Sequence, residues 1–120
     1  MKTSSRSFGQ IVNKGRKDAG LSQRELASLI RKQNGTPISA VYLNDIEHNR
    51  RSPSSDHLIE QFAKVLSIPR ELLYHAARRL PPSCVKVKGD NEIIFAYQLF
   101  EAALRGESRK VLDLTSEKRW

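Results

Sequence analysis

Residues 22–51, SQRELASLIRKQNGTPISAVYLNDIEHNRR, decide how this chain folds. The stretch contains two short segments with apolar residues at helical spacing, joined by a turn at Asn34-Gly35. Two arginines, Arg50 and Arg51, directly follow the second segment. The pattern therefore predicts two short amphipathic helices joined by a turn, with positive charge just past the second helix.

Residues typical of helix starts and helix ends flank these two helices. Ser22 and Glu25 form an S-x-x-E capping box, which satisfies two backbone amides at the start of a helix. Ser39 is predicted to cap the following helix, which runs to His48, and Asn49 tolerates the left-handed conformation that ends it. The residues predicted to face the core are Leu26, Ala27, Ile30, Leu43 and Ile46.

Further helices are predicted on both sides of this pair. Residues 8–19 have helical apolar spacing, with Ser7 as the cap and Gly20 as the left-handed terminator. Ser54 is predicted to cap a fourth helix, and Pro69 suits the first turn of a fifth. The predicted inward residues of these three helices are Phe8, Val12, Leu58, Phe62, Ala63, Leu66, Leu72, Leu73 and Ala76.

The chain is predicted to divide near Leu80 into residues 1–80 and residues 81–120. The second part is expected to contain a linker or short strand around Val85 and Val87, then a sixth helix and a polar tail.

The sixth helix, at about residues 91–105 with Asp90 or Asn91 as its cap, is unusually apolar. Its apolar stripe needs a partner, which is either the fourth and fifth helices or the same helix of a second subunit. We favour the second subunit, and the residues predicted to form this dimer contact are Ile93, Ile94, Tyr97, Phe100 and Leu104.

The net charge of +8 is distributed unevenly along the chain. Residues 1–80 contain 14 Lys and Arg against seven Asp and Glu, whereas residues 81–120 contain seven against six. The positive excess therefore coincides with the helix pair, as expected for a surface that contacts phosphates. Charge alone does not distinguish such a surface from an ordinary solvated basic face.

Several classes of protein are disfavoured by the composition. No apolar run reaches membrane-spanning length, and the N-terminus lacks the apolar stretch of a signal peptide, so we expect a cytoplasmic protein without membrane contact. The single cysteine, Cys84, excludes an internal disulfide, and no Cys/His cluster has metal-ligand spacing. His48, His57 and His75 lie on different predicted helices. We therefore expect no metal, no cofactor and no catalytic residues, and hence no enzyme.

Two stretches carry a resemblance to a known family. Residues 8–27, FGQIVNKGRKDAGLSQRELA, and residues 42–54, YLNDIEHNRRSPS, resemble the Xre/Cro/phage-repressor (lambda-repressor-like) family of helix-turn-helix regulators. The resemblance extends to about Leu80 and covers roughly two thirds of the chain. It implies an all-α fold with a five-helix DNA-binding domain, followed here by the C-terminal apolar helix. It also implies double-stranded DNA as the partner and a homodimer on a palindromic operator.

The resemblance also assigns roles to individual residues. Gln23 looks like the family glutamine that meets a phosphate and supports base readout, and residues 39–45 match the recognition helix. Arg16 and Glu47 match a family ion pair that ties the first helix to the end of the third. Breaking one side of such a buried pair is costly, although the intact pair adds little net stability.

The segment between Ile30 and Ser39 is longer than the usual turn of this family. It either changes the angle of the recognition helix or extends the second helix by a turn. We expect the extension, with Arg31 and Lys32 exposed and Gly35 ending the helix, because arginine and lysine are good helix formers.

Affinity for DNA is expected to come first from phosphates. Guanidinium groups just past the recognition helix can form paired hydrogen bonds to phosphate oxygens, and free amides at the start of the second helix favour an anion. The candidate phosphate contacts are Gln23, Arg24, Arg50 and Arg51, and Asn49 is a further candidate DNA-binding residue. An N-terminal arm with Lys2 and Arg6 is a further candidate for a groove or backbone contact.

Sequence readout is expected from the start of the third helix. The candidate residues are Ser39, Ala40, Val41, Tyr42 and Asn44. Ala40 and Val41 suit contact with thymine methyl groups, and Asn44 can pair with adenine through two hydrogen bonds. Tyr42 either touches a phosphate or packs against its neighbours. Asp45 either accepts from cytosine or binds a neighbouring arginine, and we favour the arginine.

The leading hypothesis is a sequence-specific, DNA-binding transcriptional regulator, acting as a dimeric repressor that occupies an operator. The alternatives are a DNA-binding antitoxin or another protein-interaction module that binds a protein partner through the C-terminal helix, and a protein-only adaptor with the same fold.

Overall fold

The structure, a computed structural model, describes residues 6–86 and 89–107. Its helices are α1 Phe8–Asp18, α2 Gln23–Leu29, α3 Ala40–Glu47, α4 Asp56–Leu66, α5 Arg70–Ala76 and α6 Asp90–Leu104, with a 3₁₀ turn at Pro82–Cys84. The described ranges contain only an isolated bridge and no strand, so the predicted all-α fold is confirmed. The predicted arm residue Lys2, the predicted strand residue Val87 and the predicted polar tail from residue 108 onward lie outside the described residues.

Serine caps begin the first three helices as predicted. Ser7 and Ser22 each form a complete capping box, and the Ser39 hydroxyl accepts a hydrogen bond from the Tyr42 amide. The prediction for α4 was wrong by one residue, because Ser55 rather than Ser54 accepts from the amide of the first turn. The Ser54 N–H instead donates to the Tyr42 hydroxyl at 3.2 Å, which holds Ser54 in the loop.

One continuous core joins α1 to α5. Phe8 of α1 packs edge-to-face on Phe62 of α4, with ring centroids 5.9 Å apart. Leu43 and Ile46 of α3 are completely buried in the same cluster. The remaining buried members are Ile11, Val12, Leu26, Ala27, Ile30, Ile38, Leu58, Ile59, Ala63, Leu66, Leu73 and Tyr74. These side chains hold the α2–α3 pair against the other three helices.

The predicted inward face of α5 was partly wrong. Tyr74 is completely buried, while Leu72 is 40% exposed. The Tyr74 hydroxyl donates to a Glu60 carboxylate oxygen at 2.7 Å, so the phenol can be buried without losing its hydrogen bond. Burial, and then the Glu60 carboxylate, raise the pKa of Tyr74 well above its ordinary value. The tyrosine therefore stays neutral and fixes α5 to α4.

Two glycines in α1 permit close contacts with other elements. A Cβ on Gly15 would lie 2.9 Å from the Ile68 Cδ1 atom, so the α4–α5 junction packs directly on the helix backbone. A Cβ on Gly9 would lie 2.6 Å from the Glu47 carbonyl oxygen and even closer to the Ile46 carbonyl oxygen. The start of α1 thus rests against the last carbonyls of α3, an approach that only glycine allows.

The segment between α2 and α3 corrects the predicted helix extension. Helix α2 ends at Leu29, and the chain turns back on itself so that the Ile38 amide donates to the Ile30 carbonyl at 2.9 Å. Gly35 lies at the tip of this turn with φ +90°, rather than at a helix end. Burial of both isoleucines in the core explains the result, because a longer helix would carry Ile38 away from it. We call residues 31–37 the hairpin.

The chain divides into two units after Ser83, and each is described by itself. In the second unit, α6 begins after Gly89, without the predicted side-chain cap from Asp90 or Asn91. Those two residues occupy the first turn instead, where the negative Asp90 carboxylate interacts favourably with the helix dipole. No helix in the described ranges has the length and apolar character needed to span a membrane.

Replacing Gly9 with alanine should destabilise the protein by about 2–3 kcal/mol, because the added methyl must displace backbone carbonyls that cannot relax. The gain in helix propensity, about 1 kcal/mol, does not offset this cost. Urea unfolding followed by circular dichroism measures the difference. Lys17→Ala, an exposed change in the same helix, is the control. A Gly9→Ala protein as stable as that control would contradict the proposed contact.

Candidate nucleic-acid interface

Helix α3 is anchored from one side and open on the other. Leu43 and Ile46 have no exposed surface, whereas Val41 is 72% exposed. Asn44 and Asp45 are half-buried on the open side. The side chains predicted to read DNA are therefore accessible from outside the protein.

The Glu47 carboxylate is the main polar link between α3 and the rest of the first unit. Its side chain is fully buried and forms an ion pair with Arg16 through two hydrogen bonds, of 2.7 and 3.1 Å. Asn13 and Gln23 donate to the same carboxylate at 2.8 and 3.0 Å. Arg16 also donates to the Leu21 carbonyl at 2.9 Å. A single carboxylate thus connects α1, the start of α2 and α3.

Burial and hydrogen bonding act on the pKa of Glu47 in opposite directions. Burial raises the pKa, while the hydrogen bonds from Arg16, Gln23 and Asn13, together with the Arg16 charge, lower it. The lowering contributions prevail, so the pKa lies below the ordinary value of a glutamate. Glu47 is therefore a stable anion at neutral pH, held by hydrogen bonds from three residues.

Gln23 links this cluster to the outer face of α3. Its amide nitrogen donates both to Glu47 and, at 3.1 Å, to the Asn44 side-chain oxygen. This contact orients the Asn44 side chain, whose amide hydrogens and second oxygen lone pair remain available to an outside partner. The arrangement is suited to paired hydrogen bonds with a base edge. Gln23 itself points its nitrogen into the protein rather than outward.

Tyr42 lies between α3 and the loop that follows it. Its hydroxyl accepts from the Ser54 amide, and its ring lies 5.9 Å from the Arg51 guanidinium carbon. These contacts agree with the interpretation in which Tyr42 packs against its neighbours. The hydroxyl hydrogen remains as a donor toward a phosphate.

Asp45 holds the two arginines that follow α3. Its carboxylate oxygens lie 3.1 Å from the Arg50 Nε atom and 3.6 Å from the Arg51 Nε atom. Both arginine side chains are more than half exposed. The favoured interpretation of Asp45, binding to a neighbouring arginine, matches this geometry. The same contact holds both guanidinium groups beside the outer face of α3.

The other candidate residues fall into two groups. Ser39 and Arg24 are exposed at the starts of α3 and α2, whereas Ala40 is half-buried and packs against the core. Asn49 has the left-handed φ of +60° predicted for a terminator, and its side-chain oxygen accepts from the Gly9 amide at 3.2 Å. Asn49 thus has a structural role at the α1–α3 contact.

Two residues of this site were not predicted from the sequence. Asn13 lies one turn before Arg16 on the same face of α1, and this spacing was the available signal for a second donor to Glu47. Gly9 gave no local signal, because its role depends on carbonyls of α3 that are distant in sequence.

The predicted dimer residues lie on α6 in the second unit. Ile94, Tyr97, Phe100 and Leu104 are roughly half exposed or more, and Ile93 is half-buried. Among the residues that the structure describes, no group of three or more His, Cys, Asp or Glu side chains is placed to hold a metal ion.

The Asn13→Ala protein should lose about 1–3 kcal/mol of stability at neutral pH, because a hydrogen bond to a buried carboxylate disappears. The pKa of Glu47 is lowered in the folded protein, so the ionised carboxylate contributes its full stabilisation above the ordinary glutamate pKa of 4.5. That stabilisation is lost as pH falls through the pKa of Glu47 in the folded state. The stability difference from the original protein should therefore shrink as pH falls from 6 toward about 3.

Urea unfolding at a series of pH values tests this expectation. Gln98→Ala, which removes an exposed amide in α6, should change stability by less than about 0.5 kcal/mol at every pH. An Asn13→Ala difference that stays constant over the whole pH series would show that the contact does not involve an ionised Glu47.

Comparisons with known proteins agree with this geometry. The family model described as "Helix-turn-helix" matches residues 12–73, which include α2, the hairpin and α3. Two proteins of Mycobacterium tuberculosis strains, both described as uncharacterised HTH-type transcriptional regulators, are 36% identical over 75 residues, or 62% of this chain and 49% of each relative. The chain thus spans about half the length of these curated relatives. No solved structure gives a significant match. The chain belongs to the Xre and lambda-repressor-like helix-turn-helix family, as its resemblance predicted.

Proposed function

We propose that this chain is a sequence-specific, double-stranded DNA-binding transcriptional regulator that acts in the cytoplasm as a repressor by occupying its operator. The observation that carries the proposal is the orientation of α3, in which Leu43 and Ile46 are buried while Val41 is exposed. Family membership and the description of the relatives as transcriptional regulators support it.

The outer face of α3 supplies the groups for base readout. The exposed Val41 side chain, together with the accessible part of the half-buried Ala40, offers a small apolar surface that fits thymine methyl groups in the major groove. Asn44, oriented by its hydrogen bond from Gln23, offers a donor and an acceptor to adenine. Because this face has few strong donors, part of the specificity is expected to come from the shape of the DNA.

Phosphate contacts flank that face on both sides. Arg50 and Arg51 lie past the end of α3, with side chains more than half exposed. Arg24 is exposed in the first turn of α2, where free amides also favour an anion. The excess of positive charge in residues 1–80 attracts DNA to the same unit.

The second unit supplies the dimer contact in this proposal, with residues 1–80 as the DNA-binding domain and residues 81–120 as the linker, helix and tail. The supporting observation is the exposed apolar stripe of α6 that includes Ile94, Tyr97 and Leu104. A second copy of the same stripe gives the two-fold symmetry that a palindromic operator requires.

A second candidate function uses the same stripe differently. In an antitoxin or another interaction module, α6 binds a different protein, and DNA binding by α3 is secondary. The exposed stripe supports this alternative as well as a dimer. A monomer in solution that binds DNA weakly would favour it over the dimeric repressor.

Selection of bound duplexes from a random pool, followed by binding titrations and a mass measurement in solution, tests the proposed function. We expect one recurrent, two-fold symmetric sequence, a dimer mass, and a logarithm of affinity that falls linearly with the logarithm of salt concentration. Recovery of no preferred sequence, or affinity without salt dependence, would contradict sequence-specific binding.

The Asp45→Asn change should raise affinity for DNA of unrelated sequence by about fivefold near 0.15 M salt, because it removes a negative charge and releases Arg50 and Arg51 toward phosphates. Affinity for the selected duplex should rise less, since the arginines lose their fixed positions. Fluorescence anisotropy with both duplexes measures the ratio.

The matched control is Asp18→Asn, which frees an exposed Lys14 from an ion pair of 2.9 Å in α1. If Asp45→Asn changes both affinities no more than Asp18→Asn does, Asp45 does not restrain arginines that contact DNA.

A further inference from the structure

The hairpin between α2 and α3 is held in one conformation although all of its residues are exposed. The Lys32 amide donates to the Thr36 carbonyl at 2.8 Å, and the Gly35 amide donates to the Lys32 carbonyl at 2.9 Å. Within the hairpin, the Arg31 guanidinium donates to the Gly35 carbonyl at 2.8 Å. The Asn34 side-chain oxygen accepts from both the amide and the hydroxyl of Thr36.

The base of the hairpin is fixed to the core at both ends. Ile30 and Ile38, which flank it, are buried and joined by a backbone hydrogen bond of 2.9 Å. The Arg31 amide donates to the Gln61 side-chain oxygen on α4 at 3.1 Å. The hairpin therefore projects from the domain at a defined position, separated from the first residue of α3 only by Ile38 and Ser39.

Beside the hairpin lies a concavity of about 690 Å³ that also borders the start of α3. Lys32 and Pro37 line it from the hairpin, Ser39 and Tyr42 from α3, and Arg51 and Ser52 from the following loop. No Asp or Glu is among the residues that line it. Two cations from separate segments, together with hydroxyl groups, thus face one open space next to the proposed DNA surface.

The two cations differ in whether a carboxylate lies beside them. Arg51 is partly compensated by Asp45, at 3.6 Å. Lys32 takes part in none of the ion pairs or side-chain hydrogen bonds formed among residues 6–86 and 89–107. Its ammonium group has no structural role in the fold, because the hairpin is held through the Lys32 backbone.

We propose that the hairpin is an additional DNA-contacting element, in which Lys32, together with Arg51, binds a backbone phosphodiester of the strand that passes the start of α3. This inference rests on the proposed function and extends it. A single ammonium group beside hydroxyls is suited to a phosphate oxygen rather than to the paired pattern of a base edge. The contact therefore adds affinity that does not depend on sequence, and the longer segment between the helices supplies it.

The test uses the full chain with two duplexes, the selected sequence and a scrambled one. Lys32→Gln should weaken binding to both duplexes by the same factor, about fivefold near 0.15 M salt, and should reduce the salt slope by about 0.9. Lys64→Gln is the matched control, because it removes an exposed lysine charge from the second half of α4, outside the lining of the concavity. The control should retain most of the affinity and the salt slope.

Single methylphosphonate replacements in the selected duplex locate the contact. One neutral phosphate should weaken binding of the original protein and of Lys64→Gln by the same factor, and should weaken Lys32→Gln clearly less, since only Arg51 still faces that phosphate in this variant. Circular dichroism establishes that both variants are folded.

Each outcome decides a separate point. If the original protein binds DNA and Lys32→Gln behaves like Lys64→Gln, the hairpin contact is overturned while the proposed function stands. A loss confined to the selected duplex would also overturn a phosphate contact, since it indicates base readout. If the original protein binds neither duplex, the proposed function fails, and the hairpin contact fails with it.

Discussion

The ion pair between Arg16 and the buried Glu47 carboxylate is the constraint on which the arrangement of the first three helices depends. Glu47 is the last residue of α3, and its donors come from α1 and from the start of α2. A buried carboxylate is tolerated only when it is paired and hydrogen-bonded, so α3 cannot rotate or slide without losing these partners. The apolar anchors Leu43 and Ile46 set the depth of α3, and Glu47 sets its rotation.

The same cluster connects the core to the outer face. Gln23 donates to both Glu47 and Asn44, so one side chain links the buried carboxylate to a residue proposed to read bases. On the far side, Asp45 holds Arg50 and Arg51 beside that face. The polar groups proposed to meet DNA are thus positioned before DNA arrives, which reduces the entropy lost on binding.

Local signals in the sequence were sufficient to predict most of the helices. Ser22 with Glu25, and Ser39 alone, define helix starts because a cap acts within one turn of its own residue. The predictions failed where the conformation of a segment depends on contacts with residues elsewhere in the chain. Burial of Ile38 opposite Ile30 made a hairpin instead of a longer helix, and Glu60 on α4 allowed Tyr74 to be buried. For the site, the motif indicated Arg16 with Glu47, while the role of Gly9 depends on carbonyls of α3 distant in sequence.

In the function proposed for this protein, the outward face of α3 is the surface presented to DNA. Titration of isotope-labelled protein with a selected duplex, followed by amide chemical shifts in NMR spectra, tests it most directly. We expect the largest shifts at residues 39–45 and 50–51, with small shifts at the amides of α6. Large shifts confined to α6, or a titration that leaves the α3 amides unchanged, would contradict it.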